Sequence, residues 1–233
     1  MRSAASGSHS HPRVPVRSAT VGRLLRILRR EAPGWGAPIV TLVSVQTRDP
    51  FRTLISCILS LRTKDATTAA ASRRLFERAS TPEAIARIPA RELERIIFPV
   101  GFYHTKAKVI RGIAADLIAK FGGRVPDKID ALLTLKGVGR KTANLVVTEA
   151  FRKPGICVDT HVHRISNRWG LVKTTTPDKT ETALRKVLPR RYWIQYNSLL
   201  VAFGQTICHP TSPWCSRCPV ERLCPRIGVK RSR

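Results

Sequence analysis

Two short stretches of this chain hold residue types suited to chemistry rather than packing. The first is LKGVGRKTAN, Leu135 to Asn144, where a Gly-Val-Gly turn runs into a helical pattern with Arg140 and Lys141 at the junction. Glycines at Gly137 and Gly139 let the N–H groups of the turn and of the next helix approach a phosphate closely, with the helix dipole adding attraction. Such a turn reads nucleic-acid backbone rather than bases. A Gly-x-Gly link between helices is also often only a turn, and spacing alone leaves the two readings even. The second stretch is CHPTSPWCSRCPVERLC, which places Cys208, Cys215, Cys218 and Cys224 in the spacing C-x6-C-x2-C-x5-C. Zinc held by four thiolates usually takes two close pairs. One close pair with two longer arms suits an iron-sulfur cubane, in which each iron needs one thiolate. Cys57 and Cys157 stand apart in apolar surroundings and are expected to be small buried hydrophobes.

Charge narrows the partner. The chain carries 42 Lys and Arg against 15 Asp and Glu, a net charge of +27 over 233 residues. That excess predicts a polyanionic partner, nucleic acid first and an acidic membrane surface second. No apolar run approaches the roughly 18 residues of a membrane span, and the N-terminus lacks a secretory apolar region, so a soluble intracellular protein is expected. Between Ala131 and Gly170 lie seven basic residues (Lys136, Arg140, Lys141, Arg152, Lys153, Arg164 and Arg168) and two acids, Glu149 and Asp159. This local excess tips the Gly-Val-Gly turn toward phosphate binding. Asp159, in ICVDTHVHR, ends a short apolar run ahead of another helical pattern. Taken alone it reads as a helix N-cap.

The elements that must position these residues are helices. From Thr20 onward apolar residues recur at three and four spacing in VGRLLRILRR, FRTLISCILSL, AKVIRGIAADLIAKF and ETALRKVL, and strand-like alternation is missing. Asp49-Pro50, Thr81-Pro82 and Thr176-Pro177 each set a good N-cap before a proline suited to the first helical position. The expectation is an all-α body, two-lobed, without internal repeats. Leu132, Leu133 and Leu135 end one helix and Thr142 to Phe151 continues another, which makes the glycine turn a helix-hairpin-helix. Residues 1–19, rich in Ser, His, Arg and Pro and without an acid, read as a disordered basic arm; the same composition suits an organelle transit peptide.

The hairpin with its lysine, the later aspartate and the cysteine spacing, in that order, resemble the endonuclease III family of DNA glycosylases in the helix-hairpin-helix superfamily. In that family the motif reads close to LPGVGRKTAN, followed by VDTH and the same cysteine spacing. GFYHTKA (Gly101 to Ala107) and NRWGLV (Asn167 to Val172) agree as well. The resemblance spans residues 20 to 226. It implies a six-helix lobe over 46–153 that ends in the hairpin (about 132–151). A second lobe follows from 20–45 with 154–226, carrying the iron-sulfur loop 208–224, and 227–233 is left as a basic tail. Carried over residue by residue, Lys141 matches the family's catalytic lysine and Asp159 its catalytic aspartate. Cys208, Cys215, Cys218 and Cys224 match the ligands of a [4Fe-4S] cluster of structural role. Gly137, Val138, Gly139 and Arg140 fall on phosphate contacts, and Arg62, Phe102 and His161 on positions that enter the emptied base stack. Gln and Leu are commoner at the first two, and Lys136 stands where proline is usual. HPTSPW offers only His209 where the family carries basic residues, with Arg217 and Arg222 slightly later.

What the resemblance implies chemically explains a lysine at the hairpin. An amine attacking the sugar C1′ displaces the damaged base and leaves a Schiff base that permits β-elimination, which a hydroxyl cannot do. A lysine at its reference pKa of about 10.4 is mostly protonated at neutral pH. Arg140, the helix N-terminus and partial burial are expected to lower it. Asp159 is expected to assist deprotonation or to stabilise charge developing on the sugar. The implied function is a bifunctional DNA glycosylase and abasic-site lyase of base-excision repair, directed at oxidised pyrimidines. Its partner is duplex DNA with damaged bases or abasic sites; no membrane partner is expected, and the protein is expected to be a monomer, cytoplasmic and nucleoid-associated. The rivals are a mismatch-specific glycosylase of the same superfamily and a non-catalytic helix-hairpin-helix protein with a zinc module. Neither residue of the Lys141 and Asp159 pair is needed by the last of these.

Overall fold

The structure, a computed structural model, describes residues 15–233. Among them the elements are helices and short 3-10 turns, with no strand. The helices are α1 (Ser18–Glu31), α2 (Ile39–Thr47), α3 (Pro50–Ser60), α4 (Asp65–Arg78), α5 (Pro82–Arg87) and α6 (Ala90–Ile97). They continue with α7 (Tyr103–Phe121), α8 (Ile129–Leu133), α9 (Arg140–Glu149), α10 (Thr160–Arg168), α11 (Pro177–Val187) and α12 (Trp193–Thr206). All three Asp/Thr-Pro starts behave as their chemistry predicts. The Asp49 carboxylate accepts from the Phe51 and Arg52 amides, the Thr81 hydroxyl from Ala84 N–H, and the Thr176 hydroxyl from Lys179 N–H. Each satisfies a donor that the first turn otherwise leaves open.

Buried side chains gather into two cores. One is built around α3 and α7, with Leu54, Ile58, Leu75, Ile110, Leu117 and Val146 among its members. The other unites α1, α10 and α12 through Leu24, Leu28, Ile165, Trp169, Tyr196 and Phe203. Residues 39–45, expected with the second lobe, instead belong to α2, which packs on α3, α4 and α9 and puts Val40 into the first core. The six helices expected over 46–153 are seven from α3 to α9, because Pro89 separates α5 from α6 and α8 is a short helix of its own.

The chain returns from the first core to the second through residues 155–158. Ile156 and Val158 pack in the second core and Cys157 in the first. Side chains of an extended segment alternate in direction, so this one stitches the cores together and delivers Asp159 at their seam. Both ends of the described chain are held by backbone hydrogen bonds. Residues 1–14 of the basic arm lie outside the described residues, but Val16 is buried and its amide donates to Trp169 O at 2.8 Å. The tail 227–233 folds back over the cysteine loop: Arg233 N–H donates to Pro213 O at 2.8 Å, and Ser216 N–H to Arg233 O at 3.0 Å. The Arg233 guanidinium covers the Trp214 ring at 4.2 Å.

Candidate active site

Helix α9 begins against its own electrostatics. Its N-cap is Gly139, no side chain caps it, and its first turn holds no acid but two cations, Arg140 and Lys141. The positive end of a helix dipole favours anions, so two basic residues there serve stability poorly. Local rules broken in this way are found at functional sites. Gly137 has a φ of +92°, and a Cβ there would lie 2.6 Å from Val109 Cγ1, so the turn requires glycine for conformation and for space. Around Gly139 a Cβ would meet nothing within 4 Å; the approach to the helix N-terminus is open. Val138 is different. Its side chain is buried and its N–H already donates to Leu135 O at 3.0 Å. Of the hairpin positions carried over as phosphate contacts, Val138 therefore anchors the turn to the core.

A buried carboxylate fixes the start of α9. Glu181 on α11 accepts from Arg140 Nε at 3.1 Å and Nη2 at 2.8 Å. It also accepts from Arg185 Nε and Nη2 at 3.0 and 2.8 Å. Burial pushes the Glu181 carboxyl up, but these hydrogen bonds and charges outweigh it and hold it below the usual carboxylate value. Asn144 extends the network. Its amide donates to Arg140 O at 3.0 Å while its carbonyl accepts from Ile156 N–H at 3.1 Å and Arg185 Nη2 at 3.2 Å. Arg140 is thus committed to Glu181 on one side, and its neighbour Lys141 is left exposed. Sequence reasoning missed Glu181 and Arg185, which carry no local signal; Asn144 stood within the hairpin motif without a role.

The charges of Lys141 and Asp159 both bear on Cys157 and His161. The Cys157 thiol donates to Lys141 O at 3.5 Å. Two residues later Asp159 caps α10, with Oδ1 accepting from Val162 N–H at 2.8 Å. His161, half-buried in the first turn of α10, registers both charges. Burial holds its imidazole below the usual value, Asp159 works against this, and Arg164 and Lys141 add to it. The His161 ring packs against Gly204, where a Cβ would lie 2.4 Å from Nδ1, and Arg164 Nη2 lies 3.0 Å from the same nitrogen. Lys141, Asp159 and His161 therefore form one group.

Arg62 and Phe102 form a second group. Both are exposed, both have left-handed backbones with φ of +53° and +60°, and the Arg62 guanidinium stacks on the Phe102 ring at 4.5 Å. Phe102 is no core residue: it is 57% exposed.

The third group is the cysteine loop. All four cysteines line one small cavity of about 20 Å³, walled by Trp169, Phe203, Ile207 and Trp214. Among the described residues no three His, Cys, Asp or Glu converge on the position of a single metal ion. Burial raises the Cys218 and Cys224 thiols to about 12 and about 11. Two arginines of α10 tie the loop to the body. Arg164 Nη2 donates to Cys208 O at 2.8 Å; Arg168 Nη1 donates to His209 O at 2.7 Å and contacts Cys208 Sγ at 3.2 Å. The basic excess read around the hairpin is thus partly spent internally: Arg140, Arg164 and Arg168 are engaged as described, and Lys153 pairs with Asp127. No described helix is long and apolar enough to cross a membrane.

Residues 55–190 match the model of the HhH-GPD superfamily of base excision DNA repair proteins. Endonuclease III of Thermotoga maritima is 50% identical over 176 residues, covering 76% of this chain and 83% of that one. Among solved structures, an endonuclease III trapped as a covalent intermediate with DNA, an estranged-adenine complex, superposes with a TM-score of 0.80 at 36% identity, over 90% of this chain and 96% of that one. A thermostable thymine-DNA glycosylase follows at a TM-score of 0.72 and 27% identity, over 88% and 97%. An all-helical hairpin fold, a cationic helix start set against an aspartate, and relatives of this identity over most of both chains place the protein in the endonuclease III family of the HhH-GPD superfamily, base excision repair glycosylases that also cleave abasic sites.

Proposed function

We propose that Lys141 is the nucleophile and Asp159 its partner in excising oxidised pyrimidines from duplex DNA and cutting the abasic site that remains. The observation that carries this reading is the uncapped, cationic start of α9, with Lys141 O bonded by the buried Cys157 thiol two residues before Asp159 and both charges bearing on His161. The exposed Lys141 amine attacks C1′ of an extruded nucleotide, the N-glycosidic bond breaks, and the base leaves with the bonding electrons. Asp159 balances positive charge on the sugar in that step. The C1′–O4′ bond of the aminal so formed then breaks, O4′ taking a proton, to give the protonated imine, and loss of a proton from its C2′ expels the 3′ phosphate by β-elimination. The open N-terminus of α9 beside Gly139 suits a backbone phosphate, and the covalent DNA complex of a related endonuclease III supports a nucleophile in the protein. Borohydride trapping on a panel of lesion-bearing duplexes tests imine chemistry and substrate class together. Covalent capture confined to abasic DNA, with no oxidised pyrimidine released, would refute the substrate assignment.

Cys208, Cys215, Cys218 and Cys224 would hold a [4Fe-4S] cluster, which when bound supplies four iron–thiolate bonds that fix the loop to the body. The chain's own residues fit it: four thiols around one apolar hollow, with no convergence of three ligands on a single ion among the described residues. Brown protein is expected, with iron and acid-labile sulfide in about equal amounts. Stoichiometric zinc without sulfide in anaerobically purified material is the contrary result.

Arg62 is the residue of this chain proposed to read the base opposite the lesion. A guanidinium donates two hydrogen bonds to guanine O6 and N7, whereas adenine sets a donor beside N7. Arg62→Gln is expected to lower the preference for lesions opposite guanine over adenine by about fivefold, or about 1 kcal/mol. Single-turnover rates on matched duplexes measure it, and an unchanged ratio would reduce Arg62 to a phosphate contact.

A further inference from the structure

Lys106 has no part in the reaction described, yet it is the one lysine among the buried described residues, only 6% exposed. Its ammonium carries three N–H bonds, and the structure gives each an acceptor: Leu59 O at 2.7 Å, Leu61 O at 2.6 Å and Thr63 Oγ1 at 2.9 Å. These acceptors lie where α3 ends and the chain turns toward α4, on both sides of Arg62. The carbonyls at a helix C-terminus lack intrahelical partners and carry the negative end of the dipole, so a cation there is well matched.

The same lysine reaches the second loop. It sits in the first turn of α7, where its amide donates to Phe102 O at 2.9 Å. Thr63 Oγ1, already bonded to Lys106, accepts from Gly101 N–H at 3.1 Å. The two backbones touch at this point, for a Cβ on Gly101 would lie 2.7 Å from Arg62 O. Arg62 and Phe102 emerge from this junction stacked on one another, both in left-handed conformations that side chains seldom adopt without support.

A methionine or leucine would fill the same space without a buried charge. Burial alone pulls the Lys106 amine down to about 8, so an ammonium is costly to keep here. What it accomplishes is to set the path of residues 59–63 and, through Thr63, that of residues 101–102.

We propose that Lys106 is a positioning residue for duplex reading, locking the Arg62 and Phe102 loops into one rigid wedge that enters the base stack when the lesion is extruded. The inference rests on the reading of Arg62 and Phe102 as stack-entering positions. It requires that Lys106 matter only where a base pair has to be opened.

The test compares two substrates: a lesion-bearing duplex, and a single-stranded oligonucleotide with a preformed abasic site, which has no pair to open and no opposite base. Lys106→Met is expected to slow base release from the duplex about tenfold or more, within what a misplacement of about 1 Å costs. Cleavage of the single strand should stay within about twofold of the parent, since Lys141 is untouched. Thr63→Val, which removes one acceptor of Lys106 and that of Gly101 N–H but keeps the lysine, should show the same selective loss in smaller measure. It decides the matter if the methionine variant does not fold. Combined with Arg62→Ala, Lys106→Met should add no more than about twofold to the slower single variant, because both act through one wedge. Equal losses on both substrates, or multiplicative losses in the double variant, would overturn the proposal. If Arg62→Ala and Phe102→Ala both leave duplex release unchanged, the wedge reading itself fails; an effective wedge with a silent Lys106→Met and a silent Thr63→Val removes only the role of Lys106.

Discussion

Lys141→Ala is expected to abolish borohydride trapping and strand cleavage on abasic DNA while leaving the fold intact. The two halves of this expectation have separate causes. Lys141 is exposed and sits as a cation at the positive end of α9, where no acid balances it. Removing it relieves an unfavourable charge at the dipole, and alanine is the better helix former, so stability should change by no more than about 0.5 kcal/mol. The chemistry has no such reserve. No other lysine lies in the first turn of α9, and neither the Arg140 guanidinium, held by Glu181, nor a hydroxyl can form the imine. Trapped product should fall to background at every pH, whereas duplex binding, which is proposed to rest on the hairpin backbone, should persist. Strand cleavage at the parent rate in Lys141→Ala would sink the assignment and favour a binding role for the hairpin.

What could be read before the structure was mostly local. Asp49, Thr81 and Thr176 announce helix starts because a capping oxygen and the following proline act within one turn. The cysteine spacing and the glycine turn are likewise encoded in neighbouring residues. What was illegible depends on partners far apart in the chain. Nothing around Arg140 says that Glu181, 41 residues on, will hold it, so a residue read as a phosphate contact proves also to be an anchor of α9. Val138 looked like part of the phosphate cradle, but its side chain is drawn into the first core and its amide is spent on Leu135. Lys106 stood in plain view in GFYHTKA; only the folding of α3 against α7 supplies the carbonyls that give it a purpose. The tail 227–233 was legible only as basic, and the Arg233 stack on Trp214 shows how a basic side chain covers an aromatic face when one is offered.

Asp159→Asn separates the cap that Asp159 provides from the catalytic role proposed for it. As the N-cap of α10 it needs only an oxygen facing Val162 N–H, and asparagine caps as well as aspartate does. The thermal midpoint of Asp159→Asn should therefore stay within about 2 °C of the parent. As a partner of Lys141 it needs its charge. The asparagine amide can neither take up a proton nor balance a cationic sugar, so single-turnover base release should fall about 10²- to 10⁴-fold. Asp159→Ala completes the comparison. It should lose about 1 kcal/mol of stability with the cap and show the same loss of activity as the asparagine variant, because both lack the carboxylate. If the cap were the whole role of Asp159, the order would reverse: Asp159→Asn would retain parental rates, and only Asp159→Ala would be slowed, in proportion to its lost stability. Glycosylase rates and melting curves measured on the three proteins distinguish these outcomes, since the charge and the cap respond to different substitutions of the same side chain.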